Sequence, residues 1–138
     1  MADPNGGRKE RIREWMRNHR EEGTLLLQQL VRIPSIQGKE QPAQALVADQ
    51  LRSMGMDVEV WEPDGRELAA SSYFYSPRSC FEGSPNVVGV LKGSGGGRSI
   101  LLNGHIDVVP EGAPSSGRVT RTAAGWRTAG CTGAGRRI

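Results

Sequence analysis

An apolar run that stops at a histidine constrains this 138-residue chain more than any other feature. Ser99-Ile100-Leu101-Leu102 leads directly into Asn103-Gly104-His105-Ile106-Asp107-Val108-Val109-Pro110. A short continuous apolar stretch bounded by glycine and proline is the pattern of a buried strand. The expected strand, residues 99–102, delivers His105 at its C-terminal end, the edge at which open α/β sheets place their ligands. Asp107 follows two residues on. An imidazole that binds a metal through one nitrogen needs its other nitrogen held, and a neighbouring carboxylate holds it. His105 is therefore a candidate metal ligand and Asp107 its orienter, together one arm of a zinc site. The plainer alternative is a strand-end histidine beside a surface acid.

One arm is all the sequence offers. A catalytic zinc site takes about three protein ligands and an open position for water. The other histidine, His19, lies among Arg17, Asn18, Arg20 and Glu21 and reads as part of a solvated helix face. Cys80 and Cys131 are far apart, match no paired-cysteine zinc spacing and have no activating base beside them. The glycine-rich residues 93–97 lack the Lys-Ser/Thr and the helix start of a phosphate loop, so they read as a flexible turn.

The length suits one domain or part of a larger one. Hydrophobic residues make up 36 % of the chain and mean hydropathy is −0.48, low for a compact core. No apolar stretch has the length of a membrane span. The first nine residues lack the apolar middle of a signal peptide, and two unpaired cysteines suit a reducing compartment. The expectation is a cytoplasmic protein with no membrane partner. The isoelectric point near 9.2 suggests a nucleic-acid binder, but the charge is uneven. Arg118, Arg121, Arg127, Arg136 and Arg137 fall in residues 113–138, which contain no acid, so the rest of the chain is slightly acidic. With one tryptophan and no aromatic interleaving, this stretch matches no nucleic-acid module. It shows neither helical nor strand periodicity. Too little apolar surface is present to offset ordering entropy of about 1–2 kcal/mol per residue, so disorder is expected there.

Upstream, Ile12, Trp15, Met16, Leu26, Leu27, Leu30 and Val31 recur at helical spacing, which predicts a helix over residues 8–33, with Gly23 a possible interruption and Pro34 its end. A second helix is expected over residues 41–54, with Pro42 in its first turn and Gly55 as its C-cap. Residues 56–61 and 86–91 read as strands, and residues 62–85 as a loop-like insertion. Strand 86–91 and the run at 99–103 form either a hairpin around the glycines or part of a mixed sheet.

Together, Leu30-Val31-Arg32-Ile33-Pro34-Ser35, the helix and strand running to Trp61, Asn86-Val87-Val88-Gly89 and the Gly104-His105-Ile106-Asp107-Val108-Val109-Pro110 motif resemble one enzyme family over about residues 24–112. It is the family of acetylornithine deacetylase, succinyl-diaminopimelate desuccinylase, aminoacylase and carboxypeptidase G. The resemblance implies an α/β fold: the opening part of a zinc-exopeptidase-like catalytic domain, helices packed on a mixed sheet. It implies a cytoplasmic, mostly dimeric amidohydrolase that uses two zinc or cobalt ions to cleave N-acyl amino acids or short peptides. The histidine matching His105 ligates one metal, and the aspartate matching Asp107 orients it. The bridging aspartate, the glutamate that serves as general base and the remaining ligands have no match in this chain.

The departure begins after Glu111-Gly112. Family members continue with Trp-x-x-Asp-Pro, then Asp-Gly-x-Leu-Tyr-Gly-Arg-Gly and Asp-Met-Lys. One permitted choice of codons for residues 115–138, read two bases out of register, gives EWSRDPYSGWLADGRLYGRGAPDM, which is that continuation. The same codons place a stop after Ile138. The expected organisation is a partial metallohydrolase catalytic domain over residues 1–112 and a frameshifted, low-complexity basic tail over residues 113–138. As written, such a chain is expected to hold metal weakly and to lack hydrolase activity. The competing expectation is a small non-enzymatic binding or regulatory protein with a basic disordered tail.

Overall fold

A computed structural model describes residues 6–110 and the backbone of two short strands beyond them. The chain divides into two compact units, Ile33–Ser116 and Met1–Arg32 with Gly117–Ile138. No helix of the described residues is long and apolar enough to cross a membrane.

In the second of these units the predicted single helix is two, α1 (Gly6–Asn18) and α2 (Arg20–Arg32). The interruption falls at His19, and Gly23 lies inside α2. The cause is local. The His19 ring stacks on Trp15 at 4.0 Å between centroids. Its Nδ1 contacts the Trp15 carbonyl at 2.8 Å, the same oxygen that accepts the His19 amide at 3.0 Å. A side chain competing for its own helical acceptor loosens the turn. The ladder resumes through the Gly23 amide, which donates to the His19 carbonyl at 3.3 Å. Glu10 accepts from Arg13 and Arg17, but these pairs are exposed and add little. This unit also contains β3 (Gly125–Arg127) and β4 (Gly130–Thr132), paired antiparallel with Trp126 opposite Cys131. Apart from these strands, the tail expected over residues 113–138 lies outside the described residues.

The other unit is built on α3 (Gln41–Ser53), β1 (Asp57–Trp61) and β2 (Asn86–Val90). Pro42 sits in the first turn of α3, where its missing amide proton has no helical partner to lose. At the other end Gly55 adopts φ +77°, the Gly55 amide donates to the Arg52 carbonyl and the Met56 amide reaches back to Leu51. That is a left-handed C-cap of Schellman type. The alternating residues of β1 and β2 pair antiparallel, with Asp57 opposite Val90 and Trp61 opposite Asn86. Helix α3 lies on both strands and buries Ala43 and Ala48. Gly89 makes room for it: a Cβ there would come within 3.0 Å of both Leu51 Cδ1 and Met56 Sδ.

Three expectations need correction. Residues 62–85 are not loop throughout, because α4 (Gly65–Ala69) forms one helical stretch capped by Asp64, whose side chain accepts from the Arg66 amide at 2.7 Å. Residues 99–102 are not a strand. Ile100, Leu101 and Leu102 are 83, 88 and 85 % exposed, and among the described residues no hydrogen bond holds residues 99–104. The hairpin with strand 86–91 is therefore absent, and the sheet is a two-stranded antiparallel pair rather than a mixed sheet. The physical reason is coverage. An apolar run becomes a strand when a neighbour takes its backbone groups and a second layer takes its side chains. The described elements of this unit supply α3 to β1 and β2 only. What stands, at the coarser level, is a broadly α/β arrangement of helices and a small antiparallel sheet.

Gly65 carries a testable constraint. A Cβ at this position would collide with the backbone carbonyl of Ser79. Gly65→Ala is expected to destabilise the unit by roughly 1–3 kcal/mol, the usual cost of forcing atoms into a close contact. Urea denaturation of the two proteins measures it, and an unchanged midpoint would contradict the close approach.

Candidate functional site

The connector before α3 and the segment after β2 meet at Ser35. Pro34 disfavours helix for the residue ahead of it, and the chain turns, with the Ser35 amide donating to the Ile33 carbonyl at 2.9 Å. Ser35 is buried, 4 % exposed. Its Oγ donates to the Ile106 carbonyl at 2.9 Å, and its own carbonyl accepts the Val108 amide at 2.9 Å. Ile36 and Val108 form an isolated parallel bridge. One buried residue thus holds the backbone on both sides of Asp107.

His105 is therefore placed by an irregular segment and not by the end of a strand. Its Nδ1 lies 3.0 Å from the Asp107 carbonyl and 3.1 Å from Asp107 Oδ1. A carbonyl and a carboxylate oxygen accept, so Nδ1 is the donor in this geometry and in the neutral ring Nε2 keeps its lone pair. The side chain of His105 is 84 % exposed and that of Asp107 51 %. The pair is an oriented, outward-facing imidazole, suited to donate one nitrogen to a metal or to accept a proton.

Among the described residues no group of three or more His, Cys, Asp and Glu side chains is placed to hold an ion. His19 is engaged with Trp15. Cys80 is an exposed free thiol, and the side chain of Cys131 lies outside the described residues. Residues 93–97 run through bends, with Gly95 and Gly96 at positive φ, and open no helix. The donors present fit one arm of a zinc or cobalt site and do not complete the site.

Sequence reasoning did not find the group that anchors the connector. Glu40, immediately before α3, is buried at 6 % exposure. It accepts from Ser84 Oγ at 2.7 Å, Ser84 in turn accepts from Arg78 Nη2 at 2.7 Å, and Arg78 Nη1 stands 3.6 Å from Glu40. Arg78 also lies over the Phe81 ring, which meets Phe74 edge-on. The Gly83 carbonyl accepts the Gln41 amide at 3.1 Å, and the Gly83 amide donates to Glu62 at 2.8 Å. This network ties the loop after α4 to the chain that carries Ser35. Glu40, Arg78 and Ser84 all lie outside helices and strands, and no spacing signals them.

No family model, no curated protein and no solved structure matches the chain.

Burial alone would raise the Glu40 pKa. Hydrogen bonds from Ser84 and from the Gly38 and Glu40 backbone, with the nearby Arg78 charge, outweigh it and hold the carboxyl below its usual range. A carboxylate with a depressed folded-state pKa contributes stability above its unfolded pKa, and that contribution is lost as pH falls through the folded value. Acid titration below about pH 4.5 is therefore expected to destabilise wild type more than Glu40→Gln. Thermal melts of both proteins down the acid limb test this, and parallel curves would contradict it.

Proposed function

We propose that residues 1–112 hold the opening part of a zinc-exopeptidase-like catalytic domain. Its chemistry is metal-dependent hydrolysis of amide bonds in N-acyl amino acids or short peptides. The observation that carries the reading is the meeting of two separated motifs. Ser35 of Ile33-Pro34-Ser35 grips the backbone around Asp107, and Asp107 orients His105 with Nε2 free. An imidazole held by a carboxylate in this way is the arrangement that metal-ligating histidines use.

The proposal includes the reading frame. Residues 115–138 are the out-of-register translation of a segment that supplies further metal ligands in this family. Sequencing the coding DNA through and beyond codon 138 tests it directly. A one- or two-base slip near codons 113–115 that opens into Leu-Tyr-Gly-Arg-Gly and later Glu-Glu and His motifs is the expected result. A confirmed frame with no such continuation would remove the enzyme reading and leave a small binding protein with a basic tail.

The chemistry has its own test. The 138-residue chain with added zinc or cobalt is expected to release no amino acid from N-acyl substrates. The chain expressed from the restored frame is expected to hydrolyse them. In that restored protein, Asp107→Ala should lower activity by about 10- to 100-fold, the usual effect of removing the partner that orients a metal-bound histidine. Turnover by the 138-residue chain itself would overturn the proposal that its ligand set is incomplete.

A further inference from the structure

We infer that Ser35 is the positioning residue of the His105–Asp107 pair: its buried hydroxyl, acting through the backbone of residues 106–108, fixes which imidazole nitrogen is presented. The inference deepens the proposed site and rests on it for its purpose, although the positioning stands on geometry alone.

His105 and Asp107 are both well exposed, and an exposed pair two residues apart has no packing to hold it. Residues 99–104 add nothing, since among the described residues no hydrogen bond holds them. The order must come from the other side, and there the chain is gripped twice. The Ser35 hydroxyl donates to the Ile106 carbonyl, and the Ser35 carbonyl accepts from the Val108 amide, each at 2.9 Å. Asp107 lies between these two points. Its carbonyl and its carboxylate then face the same imidazole nitrogen, at 3.0 and 3.1 Å. Rotation of either flanking peptide would turn the Asp107 carbonyl away and leave Nδ1 with at most the carboxylate.

Ser35 is in turn fixed from the chain that follows it. Two residues beyond the Ile36–Val108 bridge comes the turn at Gly38, closed by the Lys39 amide donating to the Ile36 carbonyl at 2.8 Å. Glu40, bound to Ser84 and Arg78, anchors the far end of that turn. The oriented imidazole is therefore the exposed end of a series of hydrogen-bonded contacts anchored at two buried residues, Ser35 and Glu40, and Ser35 is the link at which side chain and backbone both take part. A serine at a buried turn is commonly explained as satisfying a nearby carbonyl. That role would leave the state of His105 unchanged when the hydroxyl is removed.

The test reads the imidazole directly. In the full-length chain labelled with nitrogen-15 at histidine, long-range proton–nitrogen spectra of the neutral ring report which nitrogen carries the proton. Wild type is expected to show His105 protonated at Nδ1. Ser35→Ala is expected to move it toward the tautomer mixture of a free imidazole while His19 stays unchanged, and Ser35→Thr, which restores a hydroxyl, should return it. A wild-type His105 pattern in a folded Ser35→Ala protein would overturn the inference. Should that variant fail to fold, amide exchange in wild type decides the question. The clamp requires the Val108 amide to be protected while the amides of residues 100–102 exchange freely, and equal rates would overturn it. Cobalt added to the same samples separates the two proposals. The absence of paramagnetic broadening at His105 counts against the metal arm, whereas the tautomer and amide-exchange results decide the role of Ser35.

Discussion

The packing of one short helix on two short strands is the constraint on which residues 33–110 depend. A two-stranded antiparallel pair is marginal by itself in water, and a helix laid across it supplies the missing layer. Here α3 comes close because its buried positions are Ala43 and Ala48 and because Gly89 lacks a side chain beneath Leu51. Small residues on both surfaces permit the approach but bury little area. The unit therefore leans on polar connections at its margins. The carboxylate just ahead of α3 gathers the loop after α4, and the serine five residues before it gathers the segment with the histidine.

The parts that were legible in the sequence are those whose causes are local. Pro42 and Gly55 mark the two ends of α3, and the alternation in residues 57–61 and 86–90 gives both strands. The side-chain contact between His105 and Asp107 is equally local: two residues of separation, a donor and an acceptor. The parts that were not legible need information from distant chain. Whether Ile100, Leu101 and Leu102 pair as a strand depends on a neighbour being there, and an apolar run looks the same with or without one. The one-turn helix α4 rests on a single capping aspartate, too small a signal against the proline and glycine around it. The break at His19 coincides with its ring nitrogen sharing the Trp15 carbonyl with its own amide, a contact that helical periodicity does not register.

The functional reading divides along the same line. Orientation of an imidazole is a property of a few adjacent residues, so the chain carries it. Assembly of a ligand set is a property of a whole sheet edge, drawn from several strands and loops. The described residues bring Ser35, His105 and Asp107 together and place no group of three candidate metal ligands there. One permitted choice of codons for residues 115–138, read in another register, gives the continuation on which the proposed reading rests. The incomplete site and the composition of that stretch thus have one explanation in the proposed slip of frame.

The uncovered run at Ile100, Leu101 and Leu102 has a consequence of its own. Three large aliphatic side chains are exposed beside backbone groups that have no hydrogen-bond partner among the described residues, which is a template for intermolecular β pairing. In a cell, surfaces of this kind are what quality-control machinery binds. The lifetime of such a chain is then governed by capture and proteolysis as much as by its folding equilibrium.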